Sequence, residues 1–402
     1  MDLSFSPGDL AFRAETRRWL EANVPRGDLE TLEERRAWHR KLCDAGYLGM
    51  GWPREYGGQG ASPMRQAIVA DELARVNAPP PINGLGISIV GPTIIVHGTE
   101  TQKRRYLRSI LSADELWCQL YSEPNAGSDL ASLRTRAEDR GDHFVVNGQK
   151  IWTSGGVIAD WGLLLARTAP AAPKHKGISC FLLSMRQPGV EVRPLRQITG
   201  SSHFSEVFMT DARAERADLV GRLDQGWEIA QTTLAYERGG NSLARVTRYT
   251  AAFGQLVDAA KTLTRGGRPL LDDPLVRARI GRIYAELEVQ RYAALRVLSA
   301  LEKGESPGAA SSITKLSYSE FEKRYHELAQ EILGPWGQLT ADVPYEALAI
   351  ATSSGEPGTW AHAFLWSRAG TIYAGSSEIQ KNIIGERVLG LPKEPRADRA
   401  RR

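Results

Sequence analysis

Apolar positions recur every three to four residues over the first 117 residues, the spacing that lines one face of successive helices. SPGDLAFRAETRRWLEANVP opens on Ser-Pro, a helix start, and closes just before a proline. LEERRAWHRKLCDAGYLGM, SPMRQAIVADELARVNA and TETQKRRYLRSILSADE continue the pattern, with the glycine- and proline-rich loop GWPREYGGQG between the first two of them. From about 118 to 222 the period drops to two. HFVVNGQKIWTS carries Asn147-Gly148 between β-formers, a short hairpin signal, and WGLLLART, GISCFLLSM, VEVRPL and SEVFMTD read as further strands. Helical spacing returns at 223. GWEIAQTTLAYERGGNSLARVTRYTAAFGQLVDAAKTL predicts one helix approaching 40 residues, followed by helices in DPLVRARIGRIYAELEVQRYAALRVLSALEKG, AASSITKLSYSEFEKRYHELAQEIL and SEIQKNIIGERVLGL. The expected fold class is α+β, mostly α: an N-terminal helical domain (1–117), a middle antiparallel β domain (118–222) and a C-terminal bundle of long helices (223–402).

Composition narrows the function classes. The 402 residues are 42% hydrophobic and 24% charged, as in ordinary soluble proteins, and the length suits two or three domains. The net charge of +4 is small, and the basic tail KEPRADRARR contains acids and reads as a solvated terminus, so no nucleic-acid partner is expected. No run of about 18 apolar residues predicts a membrane span, and the opening residues lack the apolar core of a secretory signal. Cys43, Cys118 and Cys180 form no CxxC and have no histidines at ligand spacing, which predicts a reduced, cytoplasmic protein without structural disulfides or a metal site.

Three stretches could carry chemistry. In LYSEPNAGSDLASLRTRA, Pro124, Gly127 and Asp129 suit a turn. The small residues equally suit close approach to a ligand, with hydroxyls from Ser122 and Ser128. It is not a GxGxxG fingerprint after a strand, which disfavours a Rossmann site. In NGQKIWTSGG, Trp152 precedes Thr153, Ser154 and two glycines. A strand tryptophan is usually core, but a flat wall beside hydroxyl donors also suits a planar aromatic cofactor. In LAYERGGNSLARV, Glu237 and Arg238 precede two glycines inside a helical pattern, although each interior glycine costs about 0.5–1 kcal/mol against alanine. Such a Glu-Arg pair is ordinarily a solvated or salt-bridged face.

GWPREYGG, YSEPNAGSDLASLRTRA, VNGQKIWTSGG and IYAGSSEIQKNIIGERVLGLP, in this order along the chain, resemble the signatures of the acyl-CoA dehydrogenase family over residues 1–392. The resemblance implies non-covalent FAD and oxidation of an acyl-CoA thioester to its trans-2-enoyl-CoA, with an electron-transfer flavoprotein as acceptor. It implies flavin contacts at Gln119, Ser122, Trp152, Thr153 and Ser154, and pyrophosphate and CoA contacts at Gly127 and Ser128. Further cofactor contacts are implied at Gly334, Ser376 and Glu378, and substrate contacts at Ser128, Gly240, Ala374 and Gly375. Many members carry the catalytic glutamate in the terminal motif, where this chain has Ala374. A smaller branch, similar to isovaleryl-CoA and long-chain acyl-CoA dehydrogenases, carries it on the long helix directly before an arginine, which matches Glu237-Arg238. Gly239 and Gly240 would then clear volume beside the base, and the backbone N–H of Ala374 would remain as a donor to the thioester oxygen.

The chain departs from the family pattern in the loop KTLTRGGRPLLDDP. Leu263 and Gly266 stand where an arginine and a phenylalanine that reach a neighbouring subunit's FAD are usual, and Arg265 or Arg268 are the candidate substitutes. Glu331 and Pro335 likewise replace a glutamine and a glycine. Two assemblies are consistent with this: a homotetramer, or an α2β2 complex with a related chain that supplies the missing arginine. The small Ala374 and Gly239-Gly240 favour a branched, bulky or ring-bearing acyl group. Two other readings stay open: a flavin oxidase or monooxygenase of the same fold, and a non-catalytic subunit.

Overall fold

The computed structural model describes residues 5–239, 242–305, 308–339 and 359–393, with the backbone alone for 237–239 and 310. The chain divides into two compact units, residues 8–240 and residues 241–402 with the first seven.

In the first unit, helices α1 (Pro7–Asn23), α2 (Leu32–Asp44), α3 (Pro63–Arg75), α4 (Gly91–His97) and α5 (Glu100–Ser112) precede the sheet. Both α2 and α5 begin at capping boxes, Thr31 with Glu34 and Thr99 with Gln102, in which side chain and backbone satisfy each other's free N–H groups. A π-turn, Gly86–Val90, runs directly into α4. The preceding Asn83 is almost fully buried: its amide donates to the Ile110 and Glu115 carbonyls and accepts from the Trp117 N–H, tying the end of α5 to the first strand.

Eight strands follow: β1 (Trp117–Leu120), β2 (Arg136–Asp139), β3 (His143–Ser154), β4 (Trp161–Arg167), β5 (Ile178–Ser184), β6 (Val190–Leu195), β7 (Phe204–Glu215) and β8 (Leu219–Val220). They form one sheet in the order β6-β7-β3-β2-β4-β5-β8, with β1 on β4. Pairing is antiparallel except β1 with β4 and a single residue pair between β2 and β4. Strands β4 and β5 are apolar without alternation because both faces are buried. Leu163, Leu165, Cys180 and Leu182 pack with Leu107 and Ile110 of α5, while Leu164, Phe181 and Leu183 pack with Phe144 and Val207.

Asn147-Gly148 does not turn a hairpin. It lies inside the continuous strand β3, where the register with β7 slips between Val146 and Gly148. The Asn147 side chain bonds both the N–H and the carboxylate of Asp211 across the strands, and a Cβ on Gly148 would lie 2.7 Å from the Thr135 Cα. The pair forms a bulge pressed against the chain entering β2, so it needs the glycine without reversing the chain.

Helix α6 (Gly226–Gly239) closes this unit, and α7 (Ser242–Thr262) opens the next. The single long helix expected there is thus seen as helix on either side of 240–241, which lie outside the described residues. A two-residue hairpin, β9 (Thr264–Arg265) and β10 (Arg268–Pro269), turns at Gly266-Gly267, both at positive φ as such turns demand. Helices α8 (Pro274–Glu302), α9 (Ser311–Leu333), α10 (Trp360–Gly370) and α11 (Ser377–Ile383) complete the bundle. Its core joins Leu256, Leu287, Phe321, Tyr325, Ile332 and Trp360. Most of the irregular segment noted before Tyr373, residues 340–358, lies outside the described residues.

Candidate active site

In the first unit the candidate residues collect where β1 lies beside β3. After Tyr121 the chain makes a tight turn in which Glu123 and Ala126 exchange backbone hydrogen bonds around Pro124-Asn125. Gly127 and Ser128 emerge from it exposed, and open space surrounds Gly127. The turn is anchored from below by an ion pair that sequence reasoning missed. The fully buried Lys150 ammonium donates to the Glu123 carboxylate (2.9 Å) and the Tyr121 carbonyl (3.0 Å), and Glu123 also accepts from the Arg134 and Thr135 N–H groups. Burial pushes Lys150 down to about 8. Burial alone would raise Glu123, but the Lys150 charge and these donors hold it below the usual carboxylate range. The pair is therefore ionised at neutral pH and satisfied on both sides. A lysine at an alternate position of an amphipathic strand was the available signal; its partner lies 27 residues away.

The strand that carries Lys150 then breaks register with β7 between Lys150 and Thr153. Within this irregularity Trp152 adopts φ +62° and points outward, 56% exposed, with its ring edge-on to Phe204. It is not a core tryptophan. The Ile151 N–H bonds the Ser122 carbonyl at 2.9 Å, which holds Ser122 beside this strand. Thr153 Oγ1 and Gln119 Nε2 are buried without a hydrogen-bond partner, and Ser154 is half-buried. Buried donors left unsatisfied cost about 1–3 kcal/mol each, so these orphans on the adjacent strands β1 and β3, with an exposed aromatic face on β3, fit a planar group with its own acceptors. The residues present fit an isoalloxazine ring.

Thr233 of α6 is buried in a hydroxyl chain, accepting from the Tyr121 hydroxyl (3.0 Å) and lying 3.1 Å from Thr93 Oγ1. Residue 237 lies four positions on, one turn along the same helical face. The side chains of Glu237 and Arg238, and the whole of Gly240, lie outside the described residues.

In the bundle, α10 ends in the turn Thr371–Gly375. Ala374 sits at φ +51° and Gly375 at +86°, and the Gln380 amide donates to both their carbonyls, at 3.1 and 3.2 Å. The exposed Ala374 N–H meets no acceptor among the described residues, so it is available to one. Ser376 caps α11 through the Ile379 N–H, which explains this serine locally. Glu378 is exposed in the first turn of α11, and hydrogen bonds from its own backbone N–H and from Ser376 hold its carboxyl below the usual range. Gly334 takes φ +56° at the end of α9. Leu263, where the family arginine is usual, is buried in the bundle core, whereas Arg265 and Arg268 flank the exposed hairpin tip. Glu331 is taken up by an ion pair with Arg279.

Beneath the turn lies a buried polar cluster. Glu322 accepts from the Tyr249 hydroxyl (2.8 Å) and the Tyr318 hydroxyl (3.3 Å), and Tyr249 also meets His326 (3.2 Å). Burial raises Glu322 above the usual carboxylate range and pushes His326 down to about 3, leaving the imidazole neutral. Lys315 donates to the Gly370 carbonyl at 2.8 Å and lies over the Tyr373 ring; burial pushes it down to about 8.

Comparison with known proteins places this geometry. Three family models match: acyl-CoA dehydrogenase N-terminal domain over residues 6–114, middle domain over 118–212 and C-terminal domain over 224–389. Acyl-CoA dehydrogenase IpdE1 of Mycolicibacterium smegmatis is 41% identical, covering 95% of this chain and 98% of its own, and IpdE1 of Mycobacterium tuberculosis is 41% identical with the same coverage. Among solved structures, the Tcur3481-Tcur3483 steroid ACAD superposes with a TM-score of 0.83 at 32% identity, over 98% of this chain and all of that one. The ChsE4-ChsE5 complex of M. tuberculosis gives 0.82 at 32%, with the same coverage. The chain belongs to the acyl-CoA dehydrogenase family and is an oxidoreductase of acyl-CoA thioesters.

Proposed function

We propose that the protein carries out FAD-dependent α,β-dehydrogenation of an acyl-CoA, with Glu237 removing the α-proton. The observation that carries the cofactor assignment is the pair of unsatisfied buried donors, Gln119 Nε2 on β1 and Thr153 Oγ1 on β3, together with the exposed Trp152 on β3. Gln119, Ser122, Trp152, Thr153 and Ser154 hold the ring system. Gly127 and Ser128 leave room for the pyrophosphate and CoA, and Gly334, Ser376 and Glu378 are further cofactor contacts. When bound, FAD supplies the oxidising half of the reaction by accepting the β-hydrogen with its bonding electrons.

The chain's own residues do the acid–base work. The Ala374 N–H, turned outward by its positive φ and clamped through its carbonyl by Gln380, donates to the thioester oxygen as negative charge develops there. That donation makes the α-proton acidic enough for a carboxylate to remove. A base for this step needs a pKa near working pH, and desolvation by a bound acyl chain acts in that direction on any carboxylate beside it. A methyl at Ala374 and no side chain at Gly375 leave space for a bulky acyl group at this turn, and the sequence adds no side-chain volume at 239 and 240. A ring-bearing acyl-CoA is supported by the likeness to the Tcur3481-Tcur3483 steroid ACAD. Electrons pass on to an electron-transfer flavoprotein. The protein is cytoplasmic, and among the described residues no helix is long and apolar enough to cross a membrane. Glu237→Gln tests the assignment. The variant is expected to stay folded and yellow but to lose flavin bleaching by acyl-CoA, at least a thousandfold in rate; wild-type bleaching by the variant overturns Glu237 as the base.

A further inference from the structure

Arg245 and Arg248 stand one turn apart on α7, on the same face, where like charges repel. Both are partly buried. The Arg245 guanidinium lies 4.0 Å from the centre of the Tyr318 ring, and beyond that stacking contact neither arginine has a hydrogen bond or ion pair among the described residues. Neighbouring bundle arginines behave otherwise: Arg279 pairs with Glu331, Arg324 with Glu286 and Arg368 with Glu327. The nearby carboxylate, Glu322, accepts both the Tyr249 and the Tyr318 hydroxyls on Oε1, and its Oε2 bonds neither arginine. Burial lowers the Arg248 pKa and the Arg245 charge lowers it further, so the fold pays for keeping both cations here.

A guanidinium donates only, in a planar fork matched to acceptor oxygens and best to a carboxylate. The Tyr318 ring adds a flat apolar floor beneath one fork. Lys315 lies within electrostatic reach of Arg245 and over the Tyr373 ring, which places the pair near the turn assigned to the thioester. We propose that Arg245 and Arg248 bind an acceptor oxygen, a carboxylate or a ring ketone, carried by the acyl group away from its thioester. The inference rests on the acyl-CoA dehydrogenase reading and adds a specificity site to it.

The test uses the flavin-loaded protein, with its partner chain if it has one, and three CoA thioesters of one carbon skeleton ending in a hydrocarbon, a ketone or a carboxylate. Wild type is expected to favour at least one oxygen-bearing thioester over the hydrocarbon by about tenfold or more in kcat/KM, and the ketone and carboxylate arms identify which. In Arg245→Gln and Arg248→Gln the ratio is expected to fall towards one, with Arg→Lys retaining part of it. The ratio is taken within each variant, so a smaller folded fraction cancels. Equal kcat/KM for all three thioesters in wild type, or an unchanged ratio in both glutamine variants, overturns the inference while flavin bleaching leaves the dehydrogenase reading standing. Failure of all three thioesters to bleach the flavin overturns both.

Discussion

Two non-glycine residues marked from sequence as site residues, Trp152 and Ala374, hold positive φ, at +62° and +51°. The left-handed region costs a residue with a Cβ about 1–2 kcal/mol, and such strain persists where function needs the resulting direction. At 152 it turns an indole outward; at 374 it presents an N–H. Trp152→Gly removes the strain and little packing, so the flavin-free protein should be as stable or up to about 1 kcal/mol more stable in urea unfolding. The same variant should release FAD at least tenfold more readily. A loss of several kcal/mol without FAD would show the indole to be structural. Trp152 and Thr153 stand out in the sequence because NGQKIWTSGG carries them, and Gln119 was named only through the family resemblance. Glu123 and Lys150 were not, because ordinary turn and strand residues become a buried pair only when β3 returns beside the turn. Glu123→Ala strands the lysine and should cost about 3–5 kcal/mol, and Glu123→Gln with Lys150→Met should recover most of it, measured by urea unfolding.

At the scale of elements, helical and strand textures were readable and their joins were not. Asn147-Gly148 has hairpin chemistry, but the bond to Asp211 and the press against Thr135 make it a bulge, a choice set by neighbouring strands. The π-turn at Gly86–Val90 leaves no periodic signature over five residues. The tie between α1 and α3 was equally hidden: the fully buried Glu72 carboxylate binds Arg17 through two hydrogen bonds (2.9 and 2.8 Å) and Arg75 through a third (2.8 Å). Burial would raise its pKa, but these arginines hold it below the usual carboxylate range. The unfolded state therefore binds the proton first as pH falls, so this stabilisation is present above about pH 4.3 and is lost as pH drops through the folded value. Glu72→Gln should lower the urea midpoint at pH 7 and shrink the drop in midpoint between pH 7 and pH 3.5. An undiminished acid drop would place the pH dependence elsewhere.

For the whole molecule the question is whether one kind of chain completes the cofactor site. The hairpin β9–β10 answers it in part. Leu263 is buried in the bundle core and cannot reach outward, and the turn is closed by two glycines, so only Arg265 and Arg268 at its exposed tip could serve a neighbouring subunit's cofactor. They are paired across the tip. An α2β2 assembly with a related chain follows as the expectation. Expressed alone, the protein should then retain well under one FAD per chain and gain it when co-expressed with such a chain, as read by the ratio of flavin to protein absorbance after gel filtration. Arg265→Gln with Arg268→Gln decides the other case. If the protein alone forms a tetramer with a full FAD complement and the double variant loses it, the hairpin arginines do the family's work within a homotetramer, and no second kind of chain is needed.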